Sequence, residues 1–221
     1  MAFPRELKES VWLTARQMLT DGIAHRAQGN VSLRDAVSGL IAVTPSAIPY
    51  DRLQADDIVV VDLDGHRVEG SWKPTSELLL HLAFYRARAD VGAVVHSHAP
   101  YATLFGVIDE PLPMLLTEAA ACLDGPVPVA PYCRPGTLEL AESAVRIADN
   151  GNAVILANHG LVTVGTDLDA AYDAALAVET TARLTWMARV LGAGIHPLDK
   201  KEAALMRAAY LAGYKPEKQS N

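Results

Sequence analysis

The sequence predicts an α/β fold, with helices on the faces of a mixed or antiparallel central sheet. Three observations lead there. Short apolar runs of strand length recur at Leu40–Val43, Ile58–Val61, Ala93–Val95 and Ala153–Leu156. Amphipathic helical stretches separate and follow them. Turn-forming residues near both ends of the chain, at Gly39, Leu63-Asp64-Gly65-His66 and Asn158-His159-Gly160, join neighbouring strands directly, which makes antiparallel pairs.

The elements follow in order. Pro4 opens a helix whose apolar face is Leu7, Val11, Ala15, Met18 and Leu19, with Gly22 as its stop. Val31–Leu33 and Leu40–Val43 are strands joined by a polar turn. Ile58–Val61 is a buried strand that turns through Asp64-Gly65 into Arg67-Val68-Glu69. Pro74-Thr75-Ser76-Glu77 begins a second helix, with Leu78, Leu79, Leu82 and Tyr85 as its stripe, Thr75 or Ser76 as cap and Glu77 in its first turn. The strand Ala93–Val95 comes next, then a short helix over Pro100–Phe105. Pro111–Pro135 is rich in proline and small residues and reads as loops plus one strand, Val127–Ala130. A helix over Leu138–Ala148, strands at Ala153–Leu156 and Leu161–Val164, a long helix near Leu168–Leu191 and a last one over Lys201–Leu211 complete the chain. With no repeat, linker or low-complexity segment, residues 1–221 read as one domain.

Composition removes several classes of function. Of 221 residues half are hydrophobic and a fifth charged, so a substantial core can be buried. A formal net charge of −7 argues against a nucleic-acid surface, which needs clustered Lys and Arg. No apolar stretch reaches membrane-spanning length, and Met1–Glu6 lacks the apolar core of a secretory signal. Cys122 and Cys133 read as reduced thiols of a cytoplasmic protein.

Chemistry concentrates at His96-Ser97-His98. Alternate residues of a strand share a face, about 6.6 Å apart, so both imidazoles can meet one ion. His159, after another apolar strand, supplies a third nitrogen. Three protein ligands with an open position is the pattern of a catalytic zinc, although imidazole suits several other divalent transition metals. Taken alone, the spacing also fits histidines with ordinary hydrogen bonds. Glu77 is well placed at a helix start with no function at all, or serves as a metal ligand or a proton-transfer group. His81, four residues on, reads as structural; His25, His66 and His196 read as non-ligands. Three small, polar loops, Gly29-Asn30-Val31-Ser32, Thr44-Pro45-Ser46-Ala47 and Thr75-Ser76, fit a composite phosphate cradle or plain turns and a cap.

Gly29-Asn30-Val31-Ser32, Thr44-Pro45-Ser46-Ala47-Ile48-Pro49-Tyr50, Pro74-Thr75-Ser76-Glu77, Val94-Val95-His96-Ser97-His98 and Asn158-His159-Gly160 stand in the order of the class II aldolases, and the chain resembles the fuculose-1-phosphate aldolase type from the first helix to about Tyr214. The resemblance implies a three-layer αβα fold with a mostly antiparallel sheet, and a C4 homotetramer with active sites at subunit interfaces. It implies that His96, His98 and His159 bind Zn²⁺, with Glu77 as acid/base and resting ligand. Gly29, Asn30, Ser46, Ala47, Thr75 and Ser76 match the phosphate-binding loops, although Ser46-Ala47 replaces the family's threonine-glycine. The implied reaction is reversible cleavage of a ketose 1-phosphate into dihydroxyacetone phosphate and an aldehyde, Glu77 moving the proton at carbon.

One departure concerns the second acid. Where fuculose-specific enzymes carry a tyrosine that protonates the aldehyde oxygen, this chain has Thr117, then Glu118. Tyr132, Tyr210 and Tyr214 are the analogous candidates. The superfamily also contains decarboxylases of β-keto acids, a ketopentose-phosphate epimerase whose usual residue at position 77 is aspartate, a dehydratase, and cytoskeletal adaptors that have lost the metal ligands.

Overall fold

The computed structural model describes residues 3–213. Helix α1 (Arg5–Thr20) turns Val11, Ala15 and Met18 onto the sheet, and Asp21 and Gly22 end it as expected. The valine- and isoleucine-rich runs become strands β1 (Asn30–Arg34), β2 (Ile41–Val43), β3 (Val59–Val61) and β4 (Arg67–Glu69), each antiparallel to the one before. After helix α2 (Leu78–Ala87), β5 (Ala93–Ser97) returns to pair with β1, setting His96 opposite Asn30.

Helices α3 (Pro100–Ile108) and α4 (Thr117–Cys122) lead to the short strand β6 (Val129–Ala130). Helix α5 (Leu138–Ala148), capped by Thr137 Oγ1, precedes β7 (Ala153–Leu156) and β8 (Gly160–Gly165). Helix α6 (Leu168–Val190), capped by Asp167, is the longest; α7 (Lys200–Gly213) follows. The sheet order is β4-β3-β2-β1-β5-β8-β7-β6, antiparallel except for β6 on β7. The expected mixed, mostly antiparallel α/β sheet is therefore what forms.

Alternation along the strands divides the core in two. Val31, Val95, Ile155 and Leu161 face α1, α3, α4 and α6, whereas Val43, Val61, Val94, Val154 and Val162 face α2 and α5. Each fully buried branched or aromatic side chain contributes roughly 1.5–3 kcal/mol, so both faces stabilise the sheet. Neither face alone would, because an uncovered strand surface stays in water.

Several local readings are corrected. The stripe of α2 is Leu80, Leu82, Phe84 and Tyr85; Leu79 is exposed. Nearly every residue of this helix is apolar, so periodicity has little contrast to read. The N-cap of α2 is Glu77, not Thr75 or Ser76, and Thr75 Oγ1 instead accepts the Glu77 N–H at 3.2 Å. Glu77 thus precedes the first helical turn. The stretch read as loop holds α4, whose Thr-Glu-Ala-Ala-Ala-Cys has no large apolar stripe; α7 holds it from outside, Arg207 donating to the Ala121 carbonyl at 2.9 Å and pairing with Asp124. The strand expected from Val127 begins only at Val129. Pro128 has no N–H for a ladder, and Val127 pairs separately with Leu112.

Candidate metal centre

The two outer histidine-bearing segments meet because β5 and β8 pair directly. His96 is the penultimate residue of β5, on the face that α2 covers, and His98 lies two residues on. His159 immediately precedes β8, after Asn158 in a left-handed conformation (φ +55°). The three ring centroids lie 4.8–5.2 Å apart. Such closeness requires glycine at 160: a Cβ there would stand 2.4 Å from the Ser97 carbonyl and 3.2 Å from both the His96 and His98 rings. Gly29 makes the matching approach on the other side, its missing Cβ leaving room for the His96 carbonyl at 2.5 Å.

Glu77 reaches these rings from the start of α2. Its Oε2 is 3.0 Å from His96 Nε2, and its Oε1 is 3.4 Å from His159 Nε2. His98 Nε2 lies 3.2 Å from His96 Nε2. His96 Nδ1 is committed to the Leu161 carbonyl at 2.9 Å, which turns Nε2 inward. Behind His98, Glu179 of α6 accepts the Tyr101 and Ala102 N–H groups at 2.8–3.1 Å and so fixes the start of α3.

Electrostatics favours a cation here. Burial pushes His98 down to about 4, helped by His96 and His159; burial likewise pushes His159 down to about 4, helped by His96. Both rings are neutral near pH 7 and carry lone pairs. Burial alone would raise Glu77, but His96, His159 and the Asn30 amide hold it below the ordinary carboxylate range. Glu77 Oε1 and His159 Nδ1 are buried without a hydrogen-bond partner. Two imidazole nitrogens 3.2 Å apart with a carboxylate beside them converge as donors to a shared cation would. A divalent transition metal fits this set of three nitrogens and one carboxylate, all within 4.8 Å of one another.

The three polar loops form one platform beside this cluster. Thr44 N–H donates to Val31 O, and Val31 N–H donates to Thr44 Oγ1. Ser46 N–H donates to Lys73 O, and Thr75 N–H to Thr44 O, both at 3.0 Å. Tyr50, deeply buried, donates to the Gly29 carbonyl at 2.5 Å. Asn30 and Thr75 are buried, Ser46 is half-buried, and Ala47 and Ser76 are exposed at the rim. Ala47 adopts φ +64°, the left-handed conformation that glycine takes without strain. Sequence reasoning missed the anchoring by Thr44, Tyr50 and the Lys73 backbone. These bonds join loops far apart in the chain, so no local pattern announces them.

The auxiliary acids are less united. Thr117 and Glu118 are exposed at the start of α4, bonded to each other at 3.0 Å and not to any of the four donors. Tyr132 is exposed beyond β6, at the end of the sheet that carries His159. Tyr210 faces Asp173 at the opposite end of β5 and β8. Tyr214 lies outside the described residues. Of the other histidines, His25 and His66 are exposed and are not among the four donors, while His81 is wholly buried and hydrogen-bonded to Ser32 and Asn30.

Comparisons agree with the geometry. The family model described as Class II Aldolase and Adducin N-terminal domain matches residues 9–186. A 5-deoxy-D-ribulose 1-phosphate aldolase of Bacillus thuringiensis is 34% identical over 84% of this chain and 86% of its own length. An L-fuculose phosphate aldolase of Escherichia coli O157:H7 is 37% identical over 77% and 78%. An L-ribulose-5-phosphate 4-epimerase of Salmonella typhi is 32% identical over 88% and 90%. A solved L-fuculose 1-phosphate aldolase superposes with a TM-score of 0.90 at 33% identity, covering 96% of this chain and 98% of the other. The chain belongs to the class II aldolase family, and its fold is that of the fuculose-1-phosphate aldolase type.

Proposed function

We propose that this class II aldolase family member is a zinc-dependent aldolase of a small ketose 1-phosphate, releasing dihydroxyacetone phosphate and an aldehyde. The observation that carries this reading is Glu77: a buried carboxylate with one unpartnered oxygen, set among three inward-facing imidazoles. His96, His98 and His159 would hold the ion, with Glu77 as a fourth donor when no substrate is bound. When bound, the ion supplies Lewis-acid polarisation of a carbonyl.

The chain's own residues supply the rest. Asn30, Ser46, Thr75 and Ser76, with the backbone at Gly29 and Ala47, receive the phosphate beside the start of α2, where the helix dipole favours an anion. Glu77 Oε1 is the atom free to give a proton to the reacting carbon, or to take it in the synthetic direction, adjacent to the carbonyl. Burial removes competing water from that transfer. The hydroxyl that becomes the aldehyde oxygen must give up its proton in cleavage and regain it in synthesis, so a second acid/base group is needed. We assign this to Tyr132, with Thr117, Glu118 and Tyr214 as the further candidates that a neighbouring subunit would bring. Exposed Leu184, Trp186, Met187, Val190 and Leu191 along the end of α6 support assembly with further copies, in the homotetramer that the resemblance implies. Two free cysteines support a cytoplasmic location, and the single sheet supports one catalytic domain over residues 1–221. No helix among the described residues is long and apolar enough to cross a membrane.

A second reading, the epimerase, is favoured by the Salmonella relative, while glutamate at position 77 favours the aldolase. Decarboxylation of a β-keto acid is the third use of the same site. The test is a panel of aldehydes offered with dihydroxyacetone phosphate to zinc-loaded protein, alongside ribulose 5-phosphate and β-keto acids. A new carbon–carbon bond supports the aldolase; epimerised pentose or released CO₂ replaces it. Glu77→Gln is expected to slow solvent exchange at the reacting carbon by roughly 10²–10⁴-fold.

A further inference from the structure

His81 has no task in the account so far, yet it is the most deeply buried titratable side chain next to the site. It is wholly buried in a helix whose other buried residues are Leu80, Leu82, Phe84 and Tyr85. A leucine there would avoid burying two polar nitrogens, so its partners are informative. His81 Nε2 lies 2.5 Å from Asn30 Oδ1, and Nδ1 lies 2.7 Å from Ser32 Oγ. Ser32 Oγ is also 2.7 Å from the Tyr85 hydroxyl. At the other end, Asn30 Nδ2 donates to Glu77 Oε2 at 3.2 Å. Tyr85, Ser32, His81, Asn30 and Glu77 thus form a continuous hydrogen-bonded line, and every member is less than one-tenth exposed.

The direction of this line is fixed from the carboxylate end. An ionised Glu77 only accepts, so Asn30 turns its NH₂ toward Glu77 and its carbonyl toward His81. His81 must then donate from Nε2. A neutral ring that donates from Nε2 accepts at Nδ1, so Ser32 gives its hydroxyl proton to Nδ1 and accepts from Tyr85. Burial keeps the ring neutral by pushing it down to about 3. We propose that His81 is a positioning residue whose Nε2–H locks the Asn30 amide, keeping one amide hydrogen on Glu77 and the other free for a bound substrate oxygen.

This inference rests on the reading of Glu77 as the proton-transfer group. It makes Ser32 matter although Ser32 touches no donor. Without the Ser32 hydroxyl the ring can move its proton to Nδ1, the amide can turn over, and Asn30 then aims its carbonyl at the Glu77 carboxylate.

The experiment uses metal-loaded protein carrying His81→Leu, His81→Gln or Ser32→Ala. Glutamine keeps a donor toward Asn30 and an acceptor toward Ser32, and does not titrate. Solvent exchange at the reacting carbon of dihydroxyacetone phosphate is expected to fall about tenfold or more in His81→Leu and Ser32→Ala, and to stay within about threefold in His81→Gln, with metal content unchanged in all. Nitrogen-15 NMR is expected to show the Nε2–H tautomer at His81, moving toward Nδ1–H in Ser32→Ala. An Nδ1–H ring in the parent protein, or parental exchange rates in both His81→Leu and Ser32→Ala, overturns the proposal. Should His81→Leu fail to fold, Ser32→Ala and the tautomer decide. Should the parent protein catalyse no exchange, the aldolase reading falls and the tautomer alone decides.

Discussion

The two ends of strands β5 and β8 are both polar, and they differ in every respect that bears on chemistry. At the far end lies a cavity of about 840 Å³ bordered by Arg88, Asp90, Asp124, Asp167, Asp173, Arg207 and Tyr210. Its two arginines are paired, Arg88 with Asp90 at 2.7 Å and Arg207 with Asp124 at 2.8 Å. At the near end four donors crowd into a small buried space, two of their polar atoms have no partner, and a backbone carbonyl aims one of the rings. The large concavity is open, and its arginines are committed to carboxylates. The small one holds unspent lone pairs in a fixed arrangement, and this, rather than size, marks where a ligand belongs.

The largest way to break the contrast is His96→Ala. It is expected to strip the metal and lower turnover at least a thousandfold, checked by metal analysis of the purified protein beside an aldol-cleavage assay; an active, metal-free variant would end the metal reading. Asp90→Asn, at the other end, is expected to change stability by less than about 1 kcal/mol, as for an exposed pair.

Next in size is Gly160→Ala. The added methyl meets the Ser97 carbonyl and two imidazoles, so a loss of roughly 1–3 kcal/mol and weakened metal retention are expected in thermal melts and metal titration. Gly125→Ala, where a Cβ meets nothing within 4 Å, serves as the control.

A third effect depends on pH. Burial depresses His81 to about 3, and His98 and His159 to about 4, against an ordinary 6.5. Between those values the unfolded chain binds more protons than the folded one. Stability of the metal-free protein is therefore fully present above pH 6.5 and is lost as pH falls toward 4. Melting temperature followed from pH 8 to 4 checks this, and a flat profile would contradict neutral, buried rings.

The smallest effect sharpens the account of the loops. Ala47→Gly relieves a left-handed alanine, a strain of about 1–2 kcal/mol, while adding freedom to the unfolded chain. A net gain of at most about 1 kcal/mol is expected in denaturant melts.

Much of this site was legible because its parts are local. His96-Ser97-His98 on a strand, and the glycine after His159, are short-range patterns with short-range consequences. The misreadings fall where neighbours in space decide. Leu79 and Leu80 are both apolar, and only the packing of α2 on the sheet chooses which is buried. Thr-Glu-Ala-Ala-Ala-Cys becomes helical because α7 covers it. His81 is no misreading: it stands outside the four donors as its spacing to Glu77 suggests, but its partners Asn30 and Ser32 lie about fifty positions away on β1, beyond any local pattern.

By itself, the order of apolar runs and turns determined the sheet-and-helix class, and residue type determined which atoms could bind a cation, because both are properties of segments a few residues long. Only the tertiary structure decided which end of β5 and β8 holds the chemistry, which oxygen of Glu77 is free and how the Asn30 amide is turned. Those depend on distances between segments that the chain separates widely, and the antiparallel pairing of β1, β5 and β8 brings them within hydrogen-bond reach.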